Sequence, residues 1–214
     1  MIKSDAFQIH MAGLAKGSQS LNSLYVFSGD EPLLMMEAVD SLRAFAKTQG
    51  FTERDVMVQD RYFDWPVLLS VGQTMSLFGD KRFVELRMPT GKPGKEGGQA
   101  LQEFAAICAQ AAEAGDTLTL ITLPKLDWAT QKAAWVSALQ QSGVYVDIPL
   151  VERLQLANWI GQRLAAQGQS ADKASLDFMV ERVEGNLLAA HQEIRKLGLL
   201  YPEGRLSAEQ IQDA

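Results

Sequence analysis

Leu24-Tyr25-Val26-Phe27-Ser28-Gly29-Asp30-Glu31-Pro32-Leu33-Leu34-Met35-Met36 joins a short apolar run, a polar turn and the start of a helix. The run is a buried strand by length and composition, and a helical stretch follows from Pro32 to Thr48, stopped at Gly50. In an open parallel sheet, the turn after the first strand is the usual phosphate cradle, with backbone amides and a helix N-terminus facing the anion. A P-loop counted from Gly29 needs Gly at 34, Lys at 35 and Ser or Thr at 36, and the chain has Leu34, Met35 and Met36. Asp30 and Glu31 also put two carboxylates at the positive end of the helix, where they repel a triphosphate. The stretch predicts a nucleotide-type fold without nucleotide chemistry.

Outward from this turn, strand and helix patterns alternate. Val56-Met57-Val58 reads as a strand, and Asp64 caps a helix carrying Pro66 in its first turn. Lys81 to Met88 alternates with period two, so Glu85 to Met88 is expected in a core strand. Gln99 to Ala114 is helical, Thr117 to Leu123 is a buried strand ending at Pro124, Trp128 to Gln141 is helical, and Val144 to Ile148 is a strand. Five strands separated by helices or long crossovers predict a parallel sheet flanked by helices. The end of the Thr117 strand, Leu123-Pro124-Lys125, offers no acidic pair for Mg²⁺.

After Leu150 only helical spacing remains. Helices are expected from Leu150 to Ala166, from a Ser170 or Asp172 cap through Val183, and from Leu187 to Leu200. Ser207-Ala208-Glu209-Gln210 then forms a capping box. The division expected is an α/β domain over 1–148 and a small all-helical domain over 149–214. The last helix has barely two turns, too few for stability without packing, which suggests a fragment.

The 214 residues, 47% hydrophobic, suffice for one or two packed domains. Net charge is −6, and both parts share it: 13 basic against 17 acidic residues through Asp147, then 7 against 9. An acidic chain without a basic tail is a poor stand-alone nucleic-acid binder. No apolar run approaches the roughly 20 residues of a membrane span, and the start lacks a signal-peptide build. A single cysteine, Cys108, excludes an internal disulfide and fits a reducing cytoplasm. It sits in an Ala-rich helix as a small apolar residue rather than a nucleophile. His10 and His191 are too few for a metal cluster, so neither metal nor cofactor is expected. Gly91 to Gly98 resembles a phosphate loop but lacks Gly-Lys-Ser/Thr spacing, and reads as a connector. Trp65, Trp128, Trp135 and Trp159 read as helix-packing residues.

Gln73-Thr74-Met75-Ser76-Leu77-Phe78 falls at the end of the Trp65 helix and in the turn after it. Two large side chains in such a turn either fold back into the core or protrude as an anchor for another protein.

Three separated motifs, Leu24 to Leu34, Gln73 to Arg82 and Val183 to Ala190, occur in an order and spacing that resembles the delta subunit of the bacterial DNA polymerase III clamp loader. The resemblance runs from about residue 20 to the end. It implies an AAA+-type α/β domain with a degenerate P-loop, followed by a helical lid. It further implies a third, collar domain that is not represented here and through which such subunits join other loader subunits. Assembly of this chain into a full loader is accordingly not expected. By this resemblance the chain is a cytoplasmic, non-catalytic subunit that grips the sliding clamp (the beta subunit) with Leu77 and Phe78, beside Met75 and Gln73, and opens its interface. DNA contact would come only within the assembly. The arginines that sense or finger the γ-phosphate in AAA+ ATPases have no counterpart, since Leu187 and Leu188 follow Gly185-Asn186. Two rivals remain: an ATPase with an unconventional site at Ser28-Gly29, and a DNA-binding module using Lys81, Arg82, Lys92 and Lys95.

Overall fold

A computed structural model describes residues 1–71, 81–110, 114–183 and 185–213, with the side chain of Val71 excluded. The chain divides into two compact units, one of Met1–Asp30 and Leu34–Pro149, the other of Glu31–Leu33 and Leu150–Ala214.

Through Pro149, β1 (Ile2–Lys3), α1 (Ser4–Ala15), β2 (Leu24–Gly29), α2 (Pro32–Thr48, in the first unit from Leu34), β3 (Phe51–Val58) and α3 (Trp65–Val71) are followed by β4 (Lys81–Arg87) and α4 (Gly94–Gln110). Then come β5 (Thr117–Leu123), α5 (Trp128–Gln131), α6 (Ala134–Ser142) and β6 (Val144–Ile148). The strands form one parallel sheet in the order β1-β6-β2-β5-β4-β3. Period-two alternation along β2 sends Leu24 and Val26 to one face and Tyr25 and Phe27 to the other. The first face packs under α3, α4 and α6 through Leu68, Leu101, Phe104 and Val136. The second packs under α1 and α2 through Phe7, Val39 and Leu42.

The sheet has six strands where five were expected. The extra strand, β1, pairs two residues with Val146 and Asp147, and α1 follows it at once, burying Phe7 and Leu14. A two-residue strand carries no readable period. The stretch read as a connector, Gly91 to Gly98, is a turn only as far as Pro93, and α4 begins at Gly94. Its glycines serve contact rather than looseness. A Cβ on Gly97 would come within 2.3 Å of the Trp65 ring, and one on Gly98 would lie 3.4 Å from Trp135. The helix expected from Trp128 to Gln141 breaks at Ala133, whose extended backbone (ψ 146°) restarts it as α6 and turns Trp135, Val136 and Leu139 inward.

The second unit holds α7 (Arg153–Ala166), β7 (Gln169–Ser170), α8 (Lys173–Val183), α9 (Leu187–Leu200), β8 (Gly204–Arg205) and α10 (Ala208–Asp213). Its buried residues, among them Ile160, Leu164, Met179, Val183, Ile194, Leu197 and Ile211, recur at helical spacing. Asp172 accepts from the Ser175 amide at the start of α8. At α10, Ser207 and Gln210 exchange the reciprocal bonds of a capping box at 2.8 and 3.2 Å. The unit is not all-helical, because β7 and β8 pair in parallel. Buried Gln169 anchors them, its amide donating to the carbonyls of Leu197, Tyr201 and Pro202 at the exit of α9. No helix of the described residues is long and apolar enough to cross a membrane.

Candidate functional site

At the carboxyl end of β2, where a phosphate cradle would lie, the turn is closed on itself. Ser28 Oγ donates to the Pro124 carbonyl at 3.1 Å, and Asp30 Oδ1 accepts from the Lys125 amide at 2.9 Å. Both bonds join the end of β2 to the end of β5. Gly29 runs so close to β6 that a Cβ would stand 1.9 Å from the Ile148 carbonyl oxygen. Glu31 Oε1 accepts from the Leu33 amide, so a carboxylate already occupies an N-terminal donor of α2. Leu34 and Met35, where a P-loop has Gly and Lys, are packed against the core on the α2 face. Among the described residues, no group of three or more His, Cys, Asp or Glu side chains could hold a metal ion.

Gln73, Met75, Leu77 and Phe78 lie outside the described residues. Their flanks are described. α3 is seated on α4 by Trp65 and Leu68, and the chain resumes at Lys81, which opens β4 opposite Phe51 of β3. Lys81 therefore stands at the amino end of the strands, the opposite end from Ser28-Gly29.

That polarity separates the four cations grouped as a possible DNA patch. Lys81 and Arg82 open β4, whereas Lys92 and Lys95 follow its carboxyl end, a strand length away. Arg82 is moreover paired with Glu53 and Asp55 at 3.4 and 3.3 Å. Cys108 is buried, and burial pushes its thiol up to about 12, which suits a packing role. His10 is lowered by burial and hydrogen-bonds the Tyr25 hydroxyl at 2.9 Å. In the second unit, Asn186 caps α9 through the Ala189 amide, Leu187 is buried and Leu188 is exposed. Trp65 and Trp135 are core residues and Trp159 lies under the Arg163 guanidinium at 4.4 Å. Trp128 departs from the helix-packing expectation: it is 73% exposed, with Lys132 Nζ 3.4 Å from its ring centroid.

A parallel sheet in this strand order, covered by helices on both faces, defines a three-layer α/β module. The chain belongs to the DNA polymerase III delta subunit family, whose model matches residues 25–149. It is 30% identical over 200 residues to DNA polymerase III subunit delta of Escherichia coli strain K12, covering 94% of this chain and 57% of that protein. Among solved structures, the Bacillus subtilis DNA clamp loader delta protein YqeN superposes with a TM-score of 0.68 at 18% identity, over 97% of this chain and 61% of that one. The Thermotoga maritima RuvB Holliday junction branch migration motor gives 0.52 at 10% identity, over 98% and 66%. At these identities the structures speak for the fold alone. The chain spans a little over half the length of the curated relatives it matches.

Proposed function

We propose that this chain binds a sliding clamp through Leu77 and Phe78, assisted by Met75 and Gln73, and favours an opened clamp interface. The observation that carries this reading is the Gln73 to Phe78 motif in a chain of the delta family. Burying Leu77 and Phe78 in an apolar pocket supplies roughly 3–6 kcal/mol together. A micromolar complex needs about 8 kcal/mol net of association costs, so flanking surface must contribute. Opening requires no covalent chemistry. It requires tighter binding to the opened interface than to the closed one, which shifts the clamp's population.

Residues 1–148 serve on this reading as an AAA+-like body that does not use ATP, and 149–214 as its lid. Neighbouring loader subunits supply hydrolysis. The closed β2 turn supports the assignment, since Asp30 ties it to the end of β5, Gly29 lies against β6 and Glu31 already accepts from an N-terminal amide of α2.

Calorimetric titration of a bacterial sliding clamp with this chain tests the site. Replacing Leu77 and Phe78 by Ala is expected to cost at least ~2 kcal/mol of clamp affinity. Circular dichroism should be unchanged. Parent-like clamp affinity in the double variant would remove these residues from the interface.

A further inference from the structure

The carboxyl ends of β3, β4 and β5 gather exposed aromatic and basic side chains from three separate loops. After β3 comes Tyr62, 75% exposed, with the Arg61 guanidinium 4.3 Å from its ring centroid. After β5 comes Trp128, with Lys132 over its ring. The segment after β4 lies between them, with Lys92 in the loop and Lys95 in the first turn of α4. Thr90 in that loop meets Gln59 at the end of β3, at 3.4 Å. On the other side, Gly91 lies against Leu126, in the loop that leads to Trp128.

Tyr62 and Trp128 each leave a large ring open to solvent, on loops that meet at one end of the sheet. Stability does not account for them, because neither ring packs into either core cluster. The cations are also distinctive. Arg43, Arg54, Arg82 and Arg87 are engaged by carboxylates, whereas no ion pair within 4.0 Å holds Arg61, Lys92, Lys95, Lys125 or Lys132 among the described residues. Asp60 and Asp127 in these loops, and Asp30 in the turn after β2, accept the backbone amides of Tyr62, Thr130 and Lys125. Their charge tempers the patch and makes any polyanion binding weak and salt-sensitive.

We infer that this strand-end surface binds single-stranded nucleic acid, with bases stacking on Tyr62 and Trp128 and the phosphates running past Lys92, Lys125 and Lys132. Flat rings flanked by cations are the physical means of gripping unpaired bases without reading sequence. The two rings emerge from strands two spacings apart, about 10 Å, which a splayed single strand spans in one or two nucleotides. A duplex keeps its bases stacked on each other and offers the rings no faces. The surface lies at the strand end opposite Lys81.

Fluorescence anisotropy of labelled oligothymidylate, titrated with the whole chain at low salt, tests this directly. Binding should weaken roughly tenfold for Trp128→Ala and again for Tyr62→Ala. Trp128→Phe should restore most of the loss, because it keeps a stacking face. Lys92→Ala and Lys132→Ala should each lower the salt slope by about one. Leu77→Ala with Phe78→Ala should leave oligothymidylate binding intact, which separates this surface from the clamp site. Oligouridylate in place of oligothymidylate distinguishes RNA from DNA as the preferred strand. Absence of binding at low salt, equal affinity for a blunt duplex, or indifference to the Tyr62 and Trp128 changes would overturn the inference. So would equally tight, equally ring-dependent binding of polyglutamate, which would mark the surface as a site for an acidic protein.

Discussion

Arg43 on α2 holds Glu85 on β4 through two hydrogen bonds, Nε to Oε1 at 2.6 Å and Nη2 to Oε2 at 2.8 Å. Arg54 on β3 repeats the grip on the same carboxylate at 2.7 and 3.0 Å, so one buried anion joins a helix and two strands. Bidentate guanidinium pairs of this kind are among the stronger polar contacts.

A pH dependence follows. Burial raises the Glu85 carboxyl, but hydrogen bonds and charge from Arg43 and Arg54 outweigh it and hold the group at about 2, against an ordinary 4.5. The folded value is depressed, so the stabilisation is complete above the unfolded value. It is lost as pH falls from about 4.5 towards 2. At about 1.4 kcal/mol per unit, the contribution is roughly 3 kcal/mol. Urea unfolding between neutral pH and pH ~3 should show this loss, and Glu85→Gln should flatten it while lowering stability at neutral pH.

Gly97 sets how closely α4 approaches α3. Gly97→Ala brings a methyl within 2.3–2.4 Å of two Trp65 ring atoms, and Pro93 Cβ at 2.7 Å blocks another way out. Overpacking of this type costs about 1–3 kcal/mol. Chemical denaturation followed by tryptophan fluorescence should report the loss, and Trp65→Leu in the same chain should recover part of it.

Millimolar Mg-ATP should leave the thermal midpoint of this chain where it is. A ligand that binds the native state raises the midpoint by mass action, and the β2 turn leaves no cradle for one. A rise of several degrees in differential scanning calorimetry would revive the ATPase alternative.

In the second unit, Asn186→Ala should remove the 3.0 Å cap on the Ala189 amide and cost about 1 kcal/mol. Hydrogen exchange along the first turn of α9 is the suitable readout, because fraying there is local. Protection equal to the parent's would show that the cap contributes nothing.

The sequence made the parallel sheet legible because β2, β5 and β6 are apolar runs bounded by turn residues, whereas β3 is read only at Val56 to Val58 because its first half, Phe51 to Asp55, is mostly polar and exposed. α2 is read to its ends, Pro32 and Thr48. It did not reveal β1 and β7, since two-residue strands have no period and exist only through their partners. Glycine misled at 94–98, because a helix pressed against two tryptophans and a loose loop call for the same residue. The surface at Tyr62 and Trp128 was illegible for a different reason. Its residues are more than sixty positions apart, and only the β3-β4-β5 order brings them to one end. The same ordering divides Lys81 and Arg82 from Lys92 and Lys95, which sequence proximity had grouped.

The closed turn after β2 also bears on design. Grafting Gly, Lys and Thr onto positions 34, 35 and 36 would restore a phosphate-loop spelling without restoring its use. The new lysine would replace Met35, which packs against the core, and would face a desolvation cost before meeting any phosphate. Asp30 would still hold the Lys125 amide, and Gly29 would still have the Ile148 carbonyl against it. Opening the turn would mean changing its contacts with the ends of both β5 and β6. Spelling alone does not make a phosphate loop where the backbone around it is already tied to its neighbours.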